Sequence, residues 1–169
     1  MNHSTISASA ASAQTFSIKK TALAGIPIGA SKCFPIQHLV NVLAGVFLGP
    51  VYGVSMAFCV SLIRNILGTG SLLAFPGSMV GAFLGAYLFQ KTGRFLLAYI
   101  GEVVGTGLIG GTLCYPVAVL LMGKDVALFF YVLPFLMSTA CGTAIAFLLI
   151  EFMRRIGLFS YLKRLLDAQ

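Results

Sequence analysis

The chain has 169 residues, of which 59% are hydrophobic and 9% are charged, whereas soluble domains carry about 25% charged residues. Its mean hydropathy is +0.99. These values exclude a soluble globular enzyme, a disordered chain and a disulfide-stapled secreted domain. At about 20 residues per crossing, the apolar residues are enough for roughly five or six helical spans. We therefore expect an all-α, polytopic membrane bundle without a separate water-soluble domain.

The net charge of +7 comes from basic residues that lie between apolar runs. This distribution is typical of cytoplasmic loops and does not indicate nucleic-acid binding, which concentrates basic residues on one face. Nucleophile–base arrangements, phosphate-binding glycine loops and zinc-ligand spacings are absent from the sequence. We expect no enzyme, no metal and no cofactor in this chain. The basic residues that define the loops are Lys19, Lys20, Lys91, Arg94, Arg154, Arg155, Lys163 and Arg164.

The N-terminal part is the least regular. Residues 1–20 are rich in Ser and Ala and are interpreted as a tail. The apolar segment Thr21–Ala30 follows, but it is short for a membrane span and contains Pro27. We expect a weak or truncated first helix there.

Five clearer helical spans follow, separated by Gly-Pro, Gly-rich or basic turns. Asp125 is the expected N-cap of the last span. Tyr115-Pro116 predicts a kink in the long fourth one, because proline removes a helix hydrogen bond. The predicted spans are Ile36–Leu48, Val51–Leu67, Gly77–Phe89, Phe95–Met122 and Val126–Met153.

Charge placement predicts the orientation of the bundle. If all three basic clusters face the cytoplasm, the number of crossings between them is even. This favours six transmembrane helices over residues 21–153 with both termini cytoplasmic, and a five-helix chain with its N-terminus outside stays open. Residues 154–169 form a basic tail, either an amphipathic helix on the inner leaflet or a stop-transfer flank.

Small residues predict where helices approach closely. Gly77, Gly81 and Gly85 are four residues apart and form one smooth ridge. Gly101 and Gly105 repeat this spacing on the next span. Such ridges let helix backbones come close in a membrane.

Polar residues within the spans predict a ligand site, since hydrocarbon penalises them. They gather at the extracellular ends of separate helices, which is what a pocket in a bundle requires. The candidate substrate-binding residues are Lys32, Phe34, Gln37, His38, Asn41, Arg64, Asn65, Phe75, Ser78 and Tyr115.

Structural interpretations of these residues remain open. The two cations Lys32 and Arg64 are also suited to reach lipid headgroups. His38 and Asn41 share a helix face and are suited to interhelical hydrogen bonds. Glu102 is the only acid well inside a span, and pairing with a polar neighbour is favoured over an ion relay.

The order of these segments resembles the ThiW family. The resemblance is carried by GASKCFPIQHLVNVLAGVFLGPVYG (29–53), SLIRNILGTGSLLAFPGSMVGA (61–82), GEVVGTGLIGGTLCYPVAVLLMGK (101–124) and VLPFLMSTACGT (132–143). It implies a six-helix substrate-binding (S) component of an energy-coupling factor (ECF) transporter in the bacterial cell membrane. The implied substrate is hydroxyethylthiazole, a thiamin precursor. The implied partners are a membrane coupling subunit and two ATP-binding subunits.

The resemblance also implies a pocket near the outer surface, capped by the loop between the first two helices. S components often present Ala-x-x-x-Ala on helix one to the coupling subunit. This sequence departs from that pattern, because its nearest match, Gly25-x-x-x-Gly29, contains Pro27. The alternatives are an S component for another precursor such as hydroxymethylpyrimidine, or a stand-alone secondary transporter in which Glu102 is the ion site.

Overall fold

The structure, a computed structural model, describes residues 26–28 and 31–168, with side chains from Phe34 onward apart from that of Asp167. Over this part of the chain, a two-stranded hairpin precedes six helices. The strands are β1 (Ile26–Ile28) and β2 (Ser31–Cys33), which pair antiparallel. The helices are α1 (Pro35–Leu48), α2 (Pro50–Ile66), α3 (Ala74–Thr92), α4 (Phe95–Leu121), α5 (Val132–Arg155) and α6 (Leu158–Asp167).

Glycine and proline set several of these boundaries. Gly49 has φ 85° between α1 and α2, and Pro50 occupies the first turn of α2. Gly93 ends α3 in the left-handed conformation with φ 66°. A residue with a side chain is strained at such angles, whereas glycine is not. The breaks predicted at these positions are confirmed.

Helix α4 is continuous, but two stretches of it have the hydrogen bonds of a π-helix. Val103–Gly110 and Val117–Leu121 are π-helical. The second stretch begins directly after Pro116, where the missing N–H removes a regular helix bond. The disturbance expected at Tyr115-Pro116 therefore takes the form of a local change of helix type.

The predicted helix over Thr21–Ala30 is wrong at Ile26–Ile28, because these residues form strand β1. Pro27 pairs with Lys32 in the hairpin. Proline has no N–H to donate inside a helix, whereas an edge strand tolerates it. The other residues of the predicted segment lie outside those described.

The start of the last predicted span is also wrong. Helix α5 begins at Val132, and Tyr131 takes the N-cap position expected for Asp125. A helix that began at Val126 would hold Pro134 in its interior, where the ring clashes with the carbonyl four residues earlier. Starting at Val132 places Pro134 in the first turn, where it is tolerated.

The outer surface of the bundle is apolar. Val51, Ile66 and Leu120 have exposed fractions of 75%, 75% and 78%. Helices α4 and α5 are long and apolar enough to cross a membrane, while α1 and α2 are shorter apolar helices. Exposed apolar surface on this scale requires a lipid or protein partner.

Helices α3 and α4 meet along glycines. A Cβ added to Gly101 would lie 2.7 Å from the Cα of Gly85. A Cβ added to Gly105 would lie 2.7 Å from the Cα of Gly81. The structure thus places the two predicted ridges face to face, at a separation that leaves no room for a side chain.

The C-terminal tail forms helix α6 across one end of the bundle. Phe159 contacts Phe47 of α1 and Phe95 of α4, with ring centroids 5.0 Å and 5.3 Å apart. The basic residues of the tail, Lys163 and Arg164, stay exposed. The observed helix agrees with the amphipathic-helix interpretation of this segment.

Candidate functional site

A cavity of about 310 Å³ lies between the ends of α1, α2, α3 and α5. It is at the end of the bundle opposite α6. Five of its sixteen lining residues are candidate substrate-binding residues from the sequence. The lining residues are Phe34, Gln37, His38, Arg64, Gly68, Thr69, Gly70, Ser71, Leu73, Ala74, Ser78, Lys124, Tyr131, Pro134, Phe135 and Ser138.

Five of the predicted site residues line this cavity. Phe34, Gln37 and His38 come from the start of α1, Arg64 from the end of α2, and Ser78 from the first turns of α3. They meet because the chain reverses at Gly68–Ser71 between α2 and α3. Candidate residues from three separate helices therefore reach the same end of the bundle.

A hydrogen-bonded chain forms the floor of the cavity. Arg64 Nη1 donates to Gln37 Oε1. Gln37 Nε2 donates to Ser61 Oγ at 3.0 Å, and the hydroxyls of Ser61 and Ser78 are 3.1 Å apart. Ser78 Oγ donates to the carbonyl of Ala74 at 2.8 Å. Since every link fixes the next, the orientation of Gln37 is set from both sides.

Arg64 also contacts an aromatic side chain. The centre of its guanidinium lies 3.5 Å from the centroid of the Phe34 ring. The backbone N–H of Phe34 donates to Ser138 Oγ at 2.7 Å, which ties the start of α1 to α5. Arg64 is only 8% exposed, so it does not extend to the headgroup region as its alternative interpretation required.

A second polar cluster lies below the floor, centred on Glu102 of α4. Glu102 Oε1 is 3.0 Å from His38 Nδ1, and it accepts hydrogen bonds from Asn41 Nδ2 at 3.1 Å and Thr106 Oγ1 at 3.2 Å. Glu102, Asn41 and Thr106 are each at most 1% exposed. The expected pairing of Glu102 with polar neighbours is confirmed. Because His38 also lines the cavity, this polar cluster and the cavity share one residue.

The two predicted asparagines form hydrogen bonds to backbone carbonyls near the cavity but do not line it. Asn41 lies below the cavity and also donates to the carbonyl of Ser78 at 3.3 Å. Asn65 donates to the carbonyls of Ser61 at 2.8 Å and Ser71 at 3.1 Å, which fixes the turn after α2. Lys32 lies in β2, and its side chain is outside the described part.

Two predicted aromatic residues do not line the cavity. The Phe75 ring packs on Phe58 of α2, with centroids 5.5 Å apart. Tyr115 is displaced because its neighbour Cys114 is fully buried and its thiol contacts the carbonyl of Leu73. Successive helix residues point about 100° apart, so Tyr115 faces away from that contact.

The aromatic wall comes instead from Tyr131 and Phe135 at the start of α5. The sequence did not reveal them, because they lie in a mostly apolar stretch. Burial raises the pKa of the Tyr131 hydroxyl, and Cys114 raises it further. A tyrosine phenol is already neutral near pH 7 at its ordinary pKa, and a raised pKa keeps it so, which leaves its proton for hydrogen bonding. Ser138 and Lys124 complete this side of the lining.

The cavity combines aromatic faces with amide, hydroxyl and guanidinium donors. Within the described residues, no three His, Cys, Asp or Glu side chains are grouped to hold a metal ion. An apolar exterior around a small cavity with convergent polar groups is typical of a membrane protein with a small-molecule site, so the cavity is the candidate site.

The comparison with known families identifies the kind of membrane protein. A family model described as thiamine-precursor transporter protein (ThiW) matches residues 8–156. The chain belongs to the ThiW family, which is a family of transporters and not of enzymes. No curated protein and no solved structure matches the chain.

Proposed function

We propose that this protein is the substrate-capture subunit of an ATP-driven importer for hydroxyethylthiazole. The observation that carries the proposal is the cavity at one end of a bundle whose sequence belongs to a thiamine-precursor transporter family. In this role the chain performs no covalent chemistry. It binds the precursor, and a membrane coupling subunit with two ATP-binding subunits supplies the energy for release.

The distribution of charge supports an outward-facing cavity in a multi-pass bundle. Lys91 and Arg94 lie at the α3–α4 turn, and Arg154 and Arg155 end α5, all at the end opposite the cavity. Basic residues concentrate on the cytoplasmic side of membrane proteins. The C-terminus is then cytoplasmic, and the cavity opens to the outside. A cytoplasmic N-terminus requires one more crossing before β1.

The size and chemistry of the cavity suit this ligand. Its volume of about 310 Å³ is at the small end of the range for ligand pockets. Phe34, Tyr131 and Phe135 offer faces for a thiazole ring. Gln37 and Ser138 offer hydrogen bonds to a ring nitrogen and a hydroxyl group. The β1–β2 hairpin leads directly into Phe34 and is the candidate lid.

Isothermal titration calorimetry on the purified protein tests the substrate. The ligand has about nine non-hydrogen atoms, so micromolar binding requires about 0.9 kcal/mol from each atom. We expect binding of hydroxyethylthiazole at micromolar concentration or below. Hydroxymethylpyrimidine and thiamin serve as comparison ligands. Heat with hydroxymethylpyrimidine and none with the thiazole would change the substrate assignment.

The aromatic wall gives a matched pair of variants. Phe135→Ala removes a face of the cavity and is expected to weaken thiazole binding about tenfold, or about 1.4 kcal/mol. Phe75→Ala removes the same side chain from the same end of the bundle but outside the cavity, and it should leave the dissociation constant nearly unchanged. Equal losses in both variants would mean that Phe135 acts through stability alone, which thermal melting of both proteins would show.

A second candidate function is proton-coupled transport without ATP-binding subunits. The contact between His38 and Glu102 favours it, because two ionisable groups lie 3.0 Å apart beside the cavity. Uptake by proteoliposomes that contain only this chain distinguishes the two functions. Uptake that a protonophore abolishes supports proton coupling, whereas binding without uptake supports the capture subunit.

A further inference from the structure

The cavity contains a buried positive charge that no acidic side chain in the described part of the protein neutralises. Arg64 is 8% exposed, and its Nε atom has no hydrogen-bond partner among the described residues. Its only polar side-chain contact there is with Gln37, and the rest of the guanidinium faces the ring of Phe34. Both contacts are with uncharged groups.

No acidic side chain among the described residues pairs with Arg64. The sequence contains four acids. Glu102 is bonded within its own cluster, Glu151 pairs with Arg154 at 3.2 Å, and Asp167 ends α6 at the opposite end of the bundle. Asp125 is exposed and forms no ion pair within the described residues. Residues 1–25, 29 and 30 include no Asp or Glu, so those residues have no carboxylate side chain to offer Arg64.

A second cation lies at the same cavity. Lys124 follows α4, is exposed, and lines the cavity together with Arg64. The Ser138 hydroxyl accepts a hydrogen bond from the Phe34 N–H and retains its own proton for donation. The wall of the cavity thus presents two cations and a hydroxyl donor, and its lining among the described residues includes no acidic side chain.

We propose that Arg64 and Lys124 form an anion subsite, so that the cavity prefers a thiazole precursor carrying a phosphate monoester or carboxylate over the neutral alcohol. A buried charge without a counter-charge is costly, and a ligand that brings an anionic oxygen group removes this cost. The guanidinium of arginine presents a planar set of donors that matches such groups. This inference rests on the proposed function for the thiazole ring, and it refines the substrate class of the same cavity.

Calorimetry on the full chain in a neutral detergent tests the subsite. The ligands are hydroxyethylthiazole, its phosphate monoester, a thiazole carboxylate and inorganic phosphate. At low salt we expect the phosphate monoester or the carboxylate to bind at least about tenfold more tightly than the alcohol, with a preference that weakens in 0.5 M chloride, about three times the physiological ionic strength. Which of the two binds more tightly identifies the anion.

Arg64→Gln keeps hydrogen-bonding capacity and removes the charge. We expect Arg64→Gln to weaken binding of the preferred anion about ten times more than it weakens binding of the alcohol. Lys91→Gln, a charge removal at the opposite end, is the control and should change neither. Salt dependence and competition by inorganic phosphate are measured on the unsubstituted chain, so the test stands even if Arg64→Gln folds poorly.

The outcomes separate this inference from the proposed function. Binding of the alcohol at least as tightly as both anions would overturn the subsite and leave the proposed function intact. Binding of inorganic phosphate that Arg64→Gln abolishes, with no binding of any thiazole, would support the subsite and overturn the proposed function. A co-purified phospholipid that Arg64→Gln releases, without binding of a soluble anion, would assign Arg64 to a lipid headgroup and overturn the subsite.

Discussion

Replacing Glu102 with alanine is expected to lower the free energy of unfolding by about 2–5 kcal/mol. The carboxyl accepts from Asn41 and Thr106 and contacts His38, so its removal leaves three buried polar groups without that partner. The two contacts with α1, at about 0.6 kcal/mol each, and the hydrogen bond with Thr106 within α4, at about 1 kcal/mol, together set the lower value. Breaking a buried ionisable pair sets the upper one. Unfolding in mixed detergent micelles, followed by circular dichroism, measures the difference.

Two substitutions control this experiment. Glu102→Gln keeps an oxygen acceptor in the same position and should cost only about 1 kcal/mol. Glu151→Ala removes the same side chain from α5, where the partners of Glu151 among the described residues are the exposed Arg154 and Arg155. Exposed pairs contribute at most about 1 kcal/mol. A Glu102→Ala loss no larger than that of Glu151→Ala would show that the buried cluster does not hold the helices together.

Residue pattern predicted much of the helical framework. Pro50 has a fixed φ, and Gly49 and Gly93 adopt positive φ angles without strain, so local sequence was enough to place those boundaries. The start of α5 depended on Pro134 instead. The apolar run extends to the N-terminal side of Val132, so hydropathy alone could not show that Pro134 fixes where α5 begins.

The sequence predicted that a buried carboxyl group would meet polar neighbours, but not which residues these would be. Glu102 was expected to meet a polar neighbour because hydrocarbon penalises an isolated carboxyl group. Its partners His38 and Asn41 lie 64 and 61 residues away in the chain. Helix spacing cannot reveal such contacts, since they depend on which faces of α1 and α4 meet.

The cavity was predicted from residues that are costly to bury, and this criterion missed its aromatic wall. Gln37, His38 and Arg64 stood out against an apolar background and line the cavity. Tyr131 and Phe135 are ordinary residues in a membrane helix, so only the packing of α5 shows that they face the cavity. Whether any of them contacts substrate remains a prediction for the binding experiments.

The buried cluster and the glycine contacts are linked through α4. Glu102 lies between Gly101 and Gly105, which bring the backbone of α4 against α3. Close approach of the two helices carries the Glu102 carboxyl to α1, where His38 and Asn41 meet it. The spacing of α3 and α4 therefore sets the geometry of the cluster below the cavity.

The double variant Gly101→Ala/Gly105→Ala is expected to destabilise the bundle by about 2–4 kcal/mol. Each added Cβ would lie 2.7 Å from a Cα atom of α3, at Gly85 and Gly81 respectively. These are backbone atoms, so relief requires α4 to move away as a unit. Overpacking costs about 1–3 kcal/mol per site, and one displacement relieves both sites, which makes the losses less than additive. Unfolding in mixed micelles gives the value.

Gly53→Ala on α2 is the matched control. The nearest atom to its added Cβ would be the Cα of Gly45 at 3.3 Å, a contact that a shift of a few tenths of an ångström relieves. We expect it to cost less than about 1 kcal/mol. Because the displacement of α4 also moves Glu102, the double variant should lose ligand affinity together with stability, while Gly53→Ala retains both. Equal stability of the two proteins would mean that α3 and α4 are not held at the separation described.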